Sequence, residues 1–314
     1  MDIKSYRYPE KLNIGRCAIA LGYFDGVHVG HRELISLLVE EARSQGLKAY
    51  VLTFEDNISK AKKTQSIIYN ASEKAGIFNS LGVDGVIVAD FNSISSLSAE
   101  KFVDEVLIDT LDAEIAICGF NFRFGHGASA DSSDLVRLME GHGRSAIVLR
   151  EQKFDGKPLS STVIRELISQ KCLDKATRML GIPYFIEGVV EKGLGLGKVY
   201  GFPTVNTPVR ESSPLSPGVY RTAVEIGKKL YTGVTNVGSC PTIEKREIHA
   251  ETLIADFSGD LYGQTVRIYF LGFLRDERLF GTIDELREQI YTDKDKSIAE
   301  NGDLKWLATG LNLL

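Results

Sequence analysis

The sequence predicts two folded regions. Residues 1–183 read as an N-terminal Rossmann-like α/β domain with a parallel sheet, and residues 184–314 as a small antiparallel β-barrel with a C-terminal helix. Three observations predict this. The chain has 314 residues, and roughly 100–200 residues per domain suits two domains. Before Pro183, short apolar runs alternate with amphipathic helical stretches, the pattern of a doubly wound sheet. After Pro183, apolar residues recur with period two between Gly-, Pro- and Ser-rich turns, the pattern of a barrel.

The elements follow in order. Cys17–Leu21 (CAIAL) is a short buried strand. His31–Gln45 places Leu34, Leu37, Leu38 and Ala42 on one helical face, and Gly46 stands where a helix end takes a left-handed residue. Lys48–Phe54, Val86–Ala89 and Ile115–Cys118 are further strands, the last two preceded by helical stretches around Ser72–Leu81 and Ala99–Thr110. In such a sheet, ligands bind at the carboxyl ends of the strands. The second region offers strands at Tyr184–Glu191, Gly218–Ile226, Leu230–Val237, Ile248–Asp256 and Gln264–Leu271, with Glu211–Pro217 as a turn. Thr282–Tyr291 opens with a Thr cap and a Glu three residues later, and reads as a closing helix. The change of pattern falls near Leu180–Tyr184.

Composition narrows the function. Hydrophobic residues are 43% and charged residues 25%, a chain apolar enough to offset its ordering entropy. The net charge of −5 argues against a nucleic-acid partner, which calls for a basic face. It does not exclude a small anionic ligand. No apolar run is long enough to span a bilayer, and no membrane partner is expected. Cys17, Cys118, Cys172 and Cys240 lie far apart with no CxxC pair, as in reduced thiols of a cytoplasmic protein. The expected assembly is a monomer or a weak oligomer.

The first candidate site is Gly22–His31, GYFDGVHVGH, between a predicted strand and a predicted helix. Gly22, Gly26 and Gly30 let the backbone turn tightly and approach a ligand. His28 and His31, three apart, share one face at the helix start. A helix N-terminus offers free amides and partial positive charge to a phosphate, and imidazoles there could donate to phosphate charge that grows in a transition state. An isolated HxxH reads more simply as a capped turn. The preceding FDG and the strand–turn–helix context favour the phosphate reading.

Gly22–His31 resembles the HxGH-type signature of the nucleotidylyltransferase superfamily. Its FDGxHxGH form is that of bacterial bifunctional riboflavin kinase/FAD synthetases. Cys118–Gly125 (CGFNFRFG) and Ser160–Arg165 (SSTVIR) resemble two further motifs of that family, in the same order along the chain. The resemblance implies an ATP site formed by Gly22, Phe24, Asp25, Gly26, Gly30, Asn121, Ser161, Thr162 and Arg165, with His28 and His31 as catalytic residues. Asn121 equally suits an Asx turn before Phe122, and Ser161 and Thr162 equally suit caps of the helix they open.

The second candidate site is Gly188–Asn206 with Glu251. GLGLGK has neither the spacing nor the following Ser or Thr of a Walker loop, and no third glycine fits G-x-G-x-x-G. Gly201-Phe202-Pro203-Thr204-x-Asn206 resembles the G-F-P-T-x-N signature of riboflavin kinases, whose fold is a six-stranded antiparallel barrel. Pro217–Tyr220, Thr235–Thr242, His249–Asp256, Leu261–Gly263 and Leu274–Glu277 resemble later landmarks of that family. The resemblance implies that Gly193, Gly195, Gly197, Lys198, Gly201 and Pro203 surround ATP. It implies Thr204 and Asn206 at Mg²⁺, for which hydroxyl and carboxamide oxygens are suitable hard donors. It implies Glu251 as the general base toward the riboflavin 5′-hydroxyl. Taken alone, a Glu in an alternating strand is simply its polar position.

Two stretches depart from the family pattern. Phe54–Ile58 (FEDNI) stands where the family has F-x-P-H-P, with Asp56–Asn57 in place of its histidine and prolines. Lys192, Gly193 and Lys198 stand where the family has His-Gly before its glycines and Arg after them. The expected function is therefore flavin cofactor synthesis from riboflavin, FMN and ATP, giving FAD. The alternatives are a chain with one of the two activities, or a non-catalytic flavin or nucleotide sensor.

Overall fold

The structure is a computed structural model that describes residues 1–54, 66–193, 201–239 and 248–311, the side chains of Asp2 and Lys157 excepted. The expected contacts at Asp56–Asn57, Gly195, Gly197 and Lys198, and the end of the Thr235–Thr242 loop, lie outside the described residues. The chain divides into two compact units, Met1–Ser161 and Thr162–Leu314. The sequence division stands at Pro183/Tyr184; the two divisions differ over the helices Ser161–Ser169 and Leu173–Leu180.

In the first unit, six strands form a parallel sheet in the spatial order Asp2–Tyr6, Gly85–Ala89, Lys48–Phe54, Cys17–Leu21, Ala113–Gly119, Ser145–Leu149. Cys17–Leu21 and Gly85–Ala89 are buried at every position, as strands covered on both faces must be. The chain winds outward from Cys17–Leu21 through Lys48–Phe54 to Gly85–Ala89, then returns to the other side at Ala113–Gly119. The order therefore reverses between Cys17–Leu21 and Ala113–Gly119, and a crevice opens beyond their carboxyl ends. The helix Val29–Ser44 buries Leu34, Ile35, Leu38 and Ala42, and Gly46 takes the left-handed conformation at φ +66°. The stretch expected as one α-helix from Ala99 is α-helical only to Lys101 and continues as a π-helix over Phe102–Ile108.

In the second unit, six antiparallel strands run in the order Phe185–Val189, Thr265–Arg275, Gly218–Ile226, Lys229–Ser239, Ile248–Ile254, Thr204–Pro208. A bridge between Glu191 and Asn206 joins the first and last of them, so the sheet curls into a barrel. Its interior holds Tyr220, Val224, Val237, Ala250, Ile268 and Phe270. It also holds a chain of buried hydroxyls: Thr222 to Thr235 and Thr235 to Thr252, each at 2.9 Å. The residues between these positions along each strand face outward. The helix Ile283–Asn301 is capped by Thr282, which accepts from the Glu285 N–H. It runs ten residues past Tyr291, where the sequence reading stopped, and its buried residues are Asp293, Ser297 and Asn301. These polar groups bond the barrel: Ser297 donates to the Gly233 carbonyl, Asn301 to that of Thr222, and Asp293 accepts from Arg275.

Candidate active sites

The Gly22–His31 turn leaves the Cys17–Leu21 strand at the point where the sheet order reverses. Phe24 and Val27 stand at positive φ, +52° and +41°, alongside Gly26 at +80°. Non-glycine residues held in this region carry strain that the surroundings must enforce. The enforcement is visible. Thr53 and Lys74 both donate to the Tyr23 carbonyl, at 3.0 and 3.4 Å. Asp25, buried, accepts from the Ile68 N–H at 3.0 Å, and the Asp25 carbonyl accepts from the Ser161 hydroxyl at 2.7 Å. Gly22 and Gly30 are required by space: a Cβ at Gly22 would lie 2.9 Å from the Phe24 ring, and one at Gly30 3.3 Å from Gln152 and Leu159.

His28 is the N-cap of the Val29–Ser44 helix and accepts the His31 N–H through its Nδ1 at 3.3 Å. The cap bond uses Nδ1 and leaves Nε2 of the same ring for another partner. The two imidazoles stack, with ring centroids 3.6 Å apart and planes 12° from parallel; the Phe24 ring meets His31 edge-on at 5.2 Å. Burial pushes His28 down to about 4 and His31 well below the usual histidine range, and the positive charges of His28 and Lys74 add to the effect on His31. Both rings are neutral near pH 7. With its Nδ1 accepting a hydrogen bond, neutral His28 carries its proton on Nε2, a donor for an incoming anion. His31 Nδ1 is buried without a hydrogen-bond partner among the described residues.

The neighbouring strand Ala113–Gly119 ends in the Asn121 loop. A backbone turn, Phe122 N–H to the Gly119 carbonyl at 3.0 Å, leaves Asn121 exposed, and Phe122 stacks on Phe124 at 5.6 Å. Ser161 is the first residue of its helix rather than its cap, and its hydroxyl holds the Asp25 carbonyl instead. Thr162 and Arg165 belong to the second unit, where Arg165 donates to the Thr162 hydroxyl at 3.0 Å.

In the barrel, Asn206 and Asn236 sit directly opposite Glu251 on its two neighbouring strands. Residues opposite one another share a face, so three polar side chains form one row on the outer surface. Thr204 shares that face two residues before Asn206, and His249 two residues before Glu251. Crowding by the barrel pushes the Glu251 carboxyl up; His249 opposes the shift and the charge of Glu277 adds to it. Asn236 donates to Glu277 at 3.2 Å. His249 stands 3.9 Å from the Glu191 carboxylate, a place for a residue to which the sequence reading gave no role. Phe202 is buried and anchors the start of the Thr204–Pro208 strand, while Gly201 turns at φ +88° and its carbonyl accepts from Tyr291 at 3.3 Å. Pro203 is exposed beside it.

Gly193 also has a packing reason to be glycine. A Cβ there would lie 2.2 Å from the Asn206 amide nitrogen, so Gly193 makes room for Asn206. Gly193→Ala is expected to push the Asn206 side chain aside and to slow the barrel's reaction about 10²-fold, the scale of a 1 Å misplacement; product formation by each unit, measured separately, checks that the first unit's rate is unchanged.

The oxygen donors fit a magnesium ion held with nucleotide phosphates. Thr204 and Asn206 offer hydroxyl and carboxamide oxygens on one face beside Glu251. Among the described residues no group of three or more His, Cys, Asp or Glu side chains could cage a metal.

Comparison with known proteins identifies a family for each region. The FAD synthetase family model matches residues 11–163, and the riboflavin kinase model residues 180–300. The bifunctional riboflavin kinase/FMN adenylyltransferase of Bacillus subtilis (strain 168) is 33% identical over 299 residues, covering 92% of this chain and 94% of that protein. The protein of the same name from Escherichia coli (strain K12) is 33% identical over 285 residues, 88% of this chain and 90% of its own. A crystal structure from Streptococcus pneumoniae, titled a macrolide-efflux protein, superposes with a TM-score of 0.83 at 28% identity, covering 96% of this chain and all of that one. With a stacked histidine pair at the switch point of its sheet and a Thr–Asn–Glu row on its barrel, the chain belongs to the bifunctional riboflavin kinase/FMN adenylyltransferase family.

Proposed function

We propose that two regions of the chain perform consecutive steps of flavin cofactor synthesis through the residues named above, residues 1–183 acting as the adenylyltransferase and 184–314 as the kinase. The chain is a transferase with both riboflavin kinase and FMN adenylyltransferase activities. The observation that carries the assignment of residues is the placement of each motif on the face that its chemistry needs.

On the barrel, Glu251 accepts the proton of the riboflavin 5′-hydroxyl as that oxygen attacks the γ-phosphorus of ATP; the bond to ADP breaks and FMN forms. A carboxyl raised by burial is the stronger base. Thr204 and Asn206 would hold Mg²⁺, which when bound offsets phosphate charge. Gly193, Gly201 and Pro203 border the nucleotide.

At the first site, a phosphate oxygen of FMN attacks the α-phosphorus of a second ATP, the bond to the β-phosphate breaks, and FAD and pyrophosphate leave. No protein nucleophile is required. The His28 Nε2–H donates to the α-phosphate as its charge grows, and His31 completes the cradle with the helix-start amides. Asn121 and Ser161 complete the nucleotide's surroundings within the first unit. A cytoplasmic setting suits the free thiols Cys17, Cys118 and Cys172; no helix among the described residues is long and apolar enough to cross a membrane.

Chromatographic product analysis tests the assignment. Purified protein with ATP and Mg²⁺ is expected to give FAD both from riboflavin and from FMN. FAD from FMN only would leave the barrel silent, and FMN from riboflavin without FAD would leave the first unit silent.

A further inference from the structure

Lys74 is fully buried, with no accessible surface, although a lysine is almost never placed so deep. It sits in the first turn of the Ala71–Ser80 helix, whose N-cap Asn70 and Glu73 form a capping box. That end of a helix carries partial positive charge and disfavours a cation. Burial and helix polarity both oppose an ammonium at this place. A third opposing charge arises whenever the neighbouring histidines are protonated. The ammonium reaches the Gly22–His31 turn: Nζ donates to the Tyr23 carbonyl at 3.4 Å and stands 4.7 Å from the centre of the Tyr23 ring. That carbonyl precedes Phe24, the left-handed residue whose ring packs over Gly22 and against His31.

We propose that Lys74 is a positioning residue of the adenylyl-transfer site: it holds the Tyr23–Phe24 peptide in its strained turn and supplies a fixed positive charge behind the stacked histidines that favours phosphate. A cation fixed in this way relieves the histidines of being charged. They remain neutral donors, and the positive charge is carried by a separate residue behind them. Among the described residues, the groups that act on His31 include His28 from its own turn, Lys74 from the Ala71–Ser80 helix and the Phe24 ring; Asp25 and Glu73 carry acidic charge on the adjacent turns and also accept from the Ile68 and Asn70 N–H groups.

The proposal rests on the adenylyltransferase reading of this site, and two readouts separate the two. The first is kcat/KM for FAD formation from FMN, taken as the ratio of variant to native protein at each pH so that the ionisation of FMN itself cancels. The second is the titration of the histidine ring protons by NMR in the ligand-free protein. Lys74→Met is expected to lose about 10²-fold in kcat/KM, with FMN formation from riboflavin retained, and His31 is expected to titrate at higher pH than in the native chain. Lys74→Arg, with its charge kept, is expected to leave the His31 titration in place and to retain part of the activity. Unchanged kcat/KM in a folded Lys74→Met, or an unmoved His31 titration, would overturn the proposal. If Lys74→Met does not fold, Lys74→Gln gives the same two readings, and failure of both to fold would make Lys74 a core residue and overturn it. A native protein that forms no FAD would instead defeat the reading on which the proposal stands.

Discussion

Replacing His28 and His31 together by alanine is expected to abolish FAD formation, with a fall on the order of 10³-fold or more, since the loss of one positioned donor alone costs about 10²–10³-fold. FMN formation from riboflavin should stay near the native rate, because the barrel is a separate compact unit. The rings act by geometry as much as by chemistry. His28 caps the Val29–Ser44 helix and stacks on His31, so its removal loses both a donor and an N-cap worth about 1 kcal/mol. His28→Asn separates these contributions: it restores a cap, and if the ring's Nε2–H is what acts, FAD formation stays lost. Undiminished FAD synthesis in the double variant would show that the turn binds no reacting phosphate.

Glu251→Gln is expected to slow FMN formation by about 10²–10⁴-fold, the range of a positioned general base, while FAD formation from supplied FMN continues. The amide has the size of the carboxyl and still suits an outward strand position between Asn206 and Asn236, so the fold is spared and the base is lost. Riboflavin phosphorylated at the native rate by this variant would mark Glu251 as an ordinary outward-facing strand residue.

Much of this architecture is legible in the residues. The buried strands announce themselves because both faces are covered and the apolar runs are unbroken, as at Cys17–Leu21 and Gly85–Ala89. Asp2–Tyr6 is not legible in the sequence because its outward positions, such as Ile3 and Ser5, are exposed at the sheet edge and it lacks an apolar run. Thr204–Pro208 was read as a motif rather than a strand, since Pro208 and three polar residues disguise it; pairing with Ile248–Ile254 decides its state. The Ile283–Asn301 helix was cut short for a related reason. Its buried face consists of Asp293, Ser297 and Asn301, which are held by hydrogen bonds to the barrel and leave no apolar periodicity. At the candidate sites, the motifs singled out His28 with His31 and Asn206 with Glu251, pairs that the fold brings together. Lys74 was not legible, because nothing local distinguishes a buried lysine from a solvated one in a helix; its burial is a tertiary fact. Asn236 and Glu277 lay within recognised stretches, but only strand register brings them beside Glu251.

The alternation along the barrel strands has a consequence for how this protein can change. In Ile248–Ile254, His249 and Glu251 look outward while Ala250 and Thr252 look inward. If Glu251 acts as proposed, substitutions at the outward positions are free to alter substrate preference or rate while the interior hydroxyl chain and its neighbours go on specifying the fold. Lineages can therefore explore new chemistry on this surface one residue at a time. A gain or loss of a single residue in the strand is a different event: with a period of two, it would carry Glu251 into the barrel and Thr252 out of it. Drift at this site should accordingly be recorded as exchanges of residues, with insertions and deletions confined to the turns.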